Sequence, residues 1–137
     1  KQDKQIEMKE TYLMPTQEAG RNFVMRKIIG NVIMLNLLRF REIADYSTLP
    51  ELMPDKPISG KEAYQLYINH TLPFLKKSGG EYLIGPIDER WDAVLLIKQN
   101  SVESFLAFES NQEYLKGIGH RTAALEDSRL LPINENK

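Results

Sequence analysis

The clearest signal in the chain is a run in which both alternating registers are apolar. In residues 31–41, Val32, Met34, Asn36, Leu38 and Phe40 share one face of a strand, and Ile33, Leu35, Leu37 and Arg39 share the other. Residues 91–98 repeat the pattern, with Trp91, Ala93, Leu95 and Ile97 on one side and Val94 and Leu96 on the other. Strands of this kind are covered on both faces.

Elsewhere the apolar period lengthens to that of a helix. Ser59-Gly60-Lys61-Glu62 has the form of a capping box and opens a helix to about Ser78. Ala63, Leu66, Tyr67, His70, Phe74 and Lys77 form its stripe, Pro73 is expected to kink it, and Gly79-Gly80 stops it. A shorter helix over residues 16–28 is capped by Thr16 and stopped by Gly30. Residues 81–84 make a short strand ended by Gly85-Pro86. Ser101 caps a helix bearing Val102, Phe105, Leu106 and Glu109. Asn111 caps another with Tyr114, Leu115 and Ile118, which Gly117 and Gly119 weaken and end. Residues 122–133 read as a last strand, with Glu126-Asp127 in its middle on opposite faces. Residues 42–57, with Pro50, Pro54 and Pro57, read as a long loop whose Tyr46, Leu49, Leu52 and Met53 lie against something apolar. An arm (residues 1–14) and a tail (residues 135–137) flank one domain, residues 15–134.

Setting the first helix aside, the order is strand, helix, strand, strand, helix, strand. That is the ferredoxin-like βαββαβ order, an α+β fold with an extra N-terminal helix. Both main helices then lie on one face of an antiparallel sheet. The other face, equally apolar, exceeds the patch a monomer usually exposes, so a second copy is expected to cover it in a homodimer. The N-terminal helix or the proline-rich loop is the alternative cover.

Composition narrows the function. A chain of 137 residues with 42 % apolar and 27 % charged positions suits one globular domain with its own core. Net charge −1 and a pI near 6.2 argue against a nucleic-acid partner; Lys76-Lys77 and Arg39/Arg41 are too short to make a basic footprint. The absence of cysteine excludes a disulfide scaffold, a thiolate nucleophile and a Cys-ligated metal, and fits a cytoplasmic protein. No apolar run is long enough for a membrane helix, and residues 1–9 are too charged for a signal peptide, so no membrane partner is expected. Phosphate-loop, dinucleotide and nucleophile-elbow motifs are absent.

Three segments resemble a known family: VIMLNLLRFR (residues 32–41), ISGKEAYQLYINHTLPFLKKSGG (58–80), and residues 83–132, which include ERWDAVLLIK and NQEYLKGIGHRTAALEDSRLLP. They are similar to domain-of-unknown-function family 1330, in the dimeric α/β-barrel superfamily. Gly79-Gly80 matches the glycine pair after the family's first main helix, and Tyr114 with Arg121 matches its tyrosine motif and later arginine. The resemblance implies a ferredoxin-like protomer, a homodimer and a cavity between sheet and helices. It implies no known reaction: relatives in the superfamily include cofactor-free monooxygenases, isomerases and haem-binding enzymes. The sequence departs from the pattern at Glu81-Tyr82, where the family has a longer strand and a glycine-rich loop; about ten more residues are expected there on ordinary loop lengths.

The candidate chemistry follows. Asn36, an amide on an apolar strand face, either orients a ligand or bonds a neighbouring loop. His70 lies one turn from Tyr67, and the two could relay a proton or simply pack. His120 could act as a base or haem ligand. Arg121 could clasp a carboxylate or pair with Glu126 or Asp127 to fix the last strand. Arg39 closes a pocket mouth or, preferably, pairs with an acid at a dimer rim, and Trp91 is an interface or core anchor more than a stacking platform. Two histidines are too few for a metal site, and no cofactor is expected. The expectation is therefore a pocket for a small organic molecule. His70, His120 and Arg121 form its catalytic set, and Asn36, Arg39, Tyr67, Trp91 and Tyr114 contact the ligand, in a cofactor-free oxygenase or isomerase. The competing reading is a non-catalytic binding or assembly protein of the same fold.

Overall fold

The computed structural model describes residues 11–88 and 90–135. Helix α1 (Gln17–Met25) starts where the Thr16 side chain accepts from the Ala19 amide. Strand β1 (Val32–Phe40) leads to a loop with one 3-10 turn at Pro50–Leu52 and then to α2 (Gly60–Lys77). The expected capping box is formed in full, Ser59 and Glu62 each satisfying the other's backbone amide. Strands β2 (Glu81–Pro86) and β3 (Ala93–Gln99), helices α3 (Val102–Glu109), α4 (Gln112–Leu115) and α5 (Ile118–Ala124), and β4 (Leu125–Asn134) complete the chain.

The four strands run in the order β2-β3-β1-β4, every neighbouring pair antiparallel. This is the ferredoxin-like sheet expected from the element order. Val32, Met34 and Leu38 of β1 and Ala93, Leu95 and Ile97 of β3 are buried under the helices.

Several details differ from the sequence reading. The buried stripe of α2 is Ala63, Tyr64, Tyr67, Ile68, Thr71 and Leu75, with Leu66 exposed, so the helix is rotated from the expected face. As expected, it runs from Gly60 to Lys77 with Pro73 inside it, on its exposed side. Gly117 follows the C-cap of α4, as a helix stop does, but Gly119 ends nothing and lies inside α5, so Ile118 belongs to α5 and not to α4. Gly117 also precedes α5 and lies so close to the His70 ring that an added Cβ would fall 2.2 Å from its Cδ2. Residues 122–124 are helical rather than extended, because Ala123 and Ala124 are small enough to let α5 press against α2. Trp91 precedes β3 instead of belonging to it. Glu81–Pro86 pairs without interruption with β3, from Glu81 opposite Lys98 to Pro86 opposite Ala93.

The second sheet face carries Ile33, Leu35 and Leu37 of β1, Val94 and Leu96 of β3, and the exposed Leu83, Leu131 and Ile133 of the outer strands. Neither alternative cover reaches it. Helix α1 packs on the helical side, where Phe23 meets Phe105 edge-on at 6.1 Å. The proline-rich loop lies against α5, with the Asp45 amide donating to Ala123 and Leu52 beside Gly119.

Candidate functional site

Between the buried sheet face and the helices lies a cavity of about 260 Å³. Met34, Asn36 and Ile97 form its floor, Tyr67 of α2, Phe105, Phe108 and Glu109 of α3 and Tyr114 of α4 its sides, and Arg121 of α5 one end; Met14 and Pro15 of the arm close over it. The apolar lining is a product of strand alternation, which turns every second residue of β1 and β3 inward. Asn36 is thereby forced into the core at a position otherwise held by Met34 and Leu38.

Asn36 is buried, and its one side-chain hydrogen bond, Nδ2 to the Leu95 carbonyl, is 3.5 Å long, at the outer limit for such a bond. The amide is weakly held and faces the cavity. The Tyr67 and Tyr114 hydroxyls lie 2.8 Å apart, both buried. Burial, then the Tyr67 phenol beside it, pushes the Tyr114 hydroxyl far above its ordinary pKa, so it stays a neutral donor. One hydroxyl of the pair donates to the other, which leaves one hydroxyl hydrogen for a third oxygen.

Arg121 is buried, 8 % exposed, yet it meets no carboxylate among the described residues. Its Nη1 donates to the Leu13 carbonyl at 2.5 Å. The acids expected to neutralise it are engaged elsewhere: Glu126 lies 3.8 Å from Arg39, and Asp127 bonds Arg90 and Arg129. A buried guanidinium without a counter-ion is costly and is ordinarily paired, so the cavity end it lines suits an anion.

No protein-family profile matches the chain, and no functionally curated protein does. Solved structures do. The RPA0582 protein of unknown function from Rhodopseudomonas palustris is 31 % identical over 93 % of this chain and 99 % of its own, with a TM-score of 0.77. The chain belongs to the same family as RPA0582. The methylated form of RPA0582 superposes with a TM-score of 0.79 at 29 % identity, over 93 % of this chain and 96 % of that one. SnoaB, a cofactor-independent oxygenase from Streptomyces nogalater, shares the fold, with a TM-score of 0.56 at 10 % identity over 79 % of this chain and 95 % of its own.

In this member of the RPA0582 family the eight residues singled out from the sequence divide in two. Asn36, Tyr67, Tyr114 and Arg121 meet at the cavity; His70, His120, Arg39 and Trp91 do not line it. His70 does not pair with Tyr67: its Nε2 lies 2.8 Å from the Glu113 carbonyl and 3.2 Å from that of Tyr114, tying α2 to α4. The Nδ1 of His120 lies 2.7 Å from the Tyr46 hydroxyl, on the side of α5 that receives the proline-rich loop. Burial, then His70, holds its pKa below the ordinary histidine value. Arg39 donates to the Arg90 carbonyl at 2.8 Å and faces Glu126. The Arg129 guanidinium sits over the rings of Trp91, at 5.5 Å, and Tyr12, at 4.6 Å. Among the described residues no group of three or more metal-ligating side chains converges. No helix among them is long and apolar enough to cross a membrane.

Two contributors escaped the sequence reading. Glu109 shares the inward stripe of α3 with Phe105, and a carboxylate on an otherwise apolar stripe was a visible signal. The arm's Met14 and Pro15 had none, since their place depends on long-range bonds to β4 and α5.

Proposed function

We propose that this protein binds a small organic anion in the cavity and acts on it by proton transfer or by cofactor-free oxidation, as an isomerase- or oxygenase-type homodimer of domain-of-unknown-function family 1330. The observation that carries the reading is the buried Arg121, without a counter-ion among the described residues, opening onto the same cavity as Asn36, Tyr67 and Tyr114. Arginine offers a planar fork of donors to a carboxylate, while the amide and phenols offer hydrogen bonds to a carbonyl oxygen. The apolar remainder of the lining suits a carbon skeleton. The uncovered apolar sheet face supports the dimer, since a twin copy is the simplest layer that would bury Leu35, Leu37, Leu96 and Leu131.

Saturation-transfer NMR with phenylpyruvate, 2-oxobutyrate and benzoate tests the ligand class. The expected result is binding of at least one carboxylate by the wild type, weakened at least tenfold in Arg121→Ala. Absence of binding, or equal binding by the variant, overturns the reading. Sedimentation at micromolar concentration tests the assembly, with a dimer expected and a lone subunit ruling it out.

A further inference from the structure

Glu109 is the last residue of α3 and lines the cavity with Tyr114 and Arg121. Its carboxylate forms no hydrogen bond or ion pair among the described residues, and Arg121, the cation lining the same cavity, is not within salt-bridge distance of it. A carboxyl set among Phe105, Phe108 and Leu115 loses hydration and gains no protein partner in return. Stability alone does not account for such a residue, and sites where burial perturbs an acid are often sites of chemistry.

We propose that Glu109 is the proton-transfer group of this cavity and that its substrate is a small oxo acid, held by its carboxylate on Arg121 and by its carbonyl oxygen on the Tyr67–Tyr114 pair. The proposal rests on the reading of the cavity as a site for a small organic anion. In the step, the Glu109 carboxylate takes a proton from the carbon next to the carbonyl. The C–H electron pair becomes a C=C bond, and the carbonyl π pair moves onto oxygen. The resulting enolate oxygen accepts a hydrogen bond from the free tyrosine hydroxyl, with the Asn36 amide beside it. Protonated Glu109 then returns the proton to carbon or to the enolate oxygen. No electrons enter or leave, so the step needs no oxidant or cofactor.

Two features support this division of labour. Desolvation raises the pKa of the Glu109 carboxyl from its ordinary value, the direction that makes a carboxylate a stronger base. Hydrogen-bonded buried phenols are fixed donors, already oriented where the oxyanion develops.

The test is solvent exchange of the C3 protons of phenylpyruvate in D₂O, followed by proton NMR alongside binding of the same probe. The wild type is expected to accelerate exchange over buffer. Glu109→Gln is expected to lower kcat by at least about 100-fold with KM within about threefold, as for loss of a general base. Glu109→Asp restores part of the rate, and Arg121→Ala raises KM. Binding without exchange by the wild type, or wild-type exchange by Glu109→Gln with a melting transition no lower than the wild type's, overturns the role of Glu109 and leaves the binding site intact. Failure of the wild type to bind either phenylpyruvate or 2-oxobutyrate overturns the oxo-acid proposal. If benzoate also fails to bind, the anion-site reading falls with it.

Discussion

Arg121 reaches from α5 to the backbone carbonyl of Leu13, 2.5 Å away, across 108 residues of sequence. The cavity's cation is therefore also a tether of the arm, and a bound carboxylate would compete with Leu13 for its donors. In Arg121→Ala two effects oppose each other. Losing a charged hydrogen bond costs about 1.5–3 kcal/mol, while removing an unpaired buried charge relieves a cost of similar size. Net stability is expected to change by less than about 1 kcal/mol, while hydrogen exchange at the Tyr12 amide accelerates at least tenfold. A large loss of stability with an unaltered Tyr12 amide would contradict the tether.

The same arm is held at a second point. The buried Asp127 carboxylate accepts from the Tyr12 amide and the Ser128 amide, each at 2.9 Å, and from Arg90 and Arg129. Burial pushes its pKa up, but these donors outweigh it and hold the carboxyl below 3.8. A lowered acid contributes stability in full above its unfolded value of about 3.9 and loses it as pH falls through the folded value. Asp127→Asn is expected to cost about 2 kcal/mol at pH 7. The difference should shrink below about pH 4 and vanish once the wild-type carboxyl is protonated. Denaturant titrations at a series of pH values measure it; a penalty independent of pH would show that charge is not what holds the arm.

Periodicity made the sheet and the larger helices legible because β1 and β3 obey simple alternation, and Ser59 with Glu62 marks a helix start by local chemistry. Asn36 could be singled out for the same reason, as a polar residue on an apolar face. His70 and His120 were singled out by residue type, but their partners, the Glu113 carbonyl and the Tyr46 hydroxyl, are set by packing that no local pattern reports. Gly119 misled because a glycine inside a helix, there for the close approach of Leu52, looks the same in sequence as one ending a helix. Arg121 was ambiguous while its acids were unassigned, and became distinctive once Glu126 and Asp127 proved to have other partners.

Glu109 carries an energetic signature opposite to that of Asp127. Desolvation raises its folded pKa above 4.5, so its ionised form weakens the fold. The sign follows: folding is penalised progressively as pH rises from the unfolded value through the folded one, and the penalty is complete above it. Asn36, Tyr67, Tyr114 and Arg121 are the polar groups that line the cavity with it, and none hydrogen-bonds or ion-pairs with its carboxylate among the described residues. Glu109→Gln is expected to melt above the wild type at pH 8 and level with it at pH 4. Equal melting temperatures at both values would mean that the carboxyl is hydrated after all.

Gly117 and His70 are expected to behave as one unit. At Gly117 the backbone has φ −103° and ψ 0°, which any residue can adopt, so a substitution there is opposed by contact and not by backbone strain. An added Cβ would lie 2.2 Å from His70 Cδ2, and the ring cannot swing away without losing its bonds to the Glu113 and Tyr114 carbonyls. Gly117→Ala should cost about 2–3 kcal/mol. In the double variant with His70→Ala, the obstructing ring is gone, so the combined loss should fall short of the sum of the single losses by at least about 1 kcal/mol. Gly60 is the control. A Cβ there would meet backbone carbonyls, Arg41 at 2.2 Å and Ala124 at 2.6 Å, which truncating a side chain does not move. Gly60→Ala should therefore be at least as damaging, and additive with His70→Ala. Additivity at Gly117 would show that the histidine ring is not what requires glycine there.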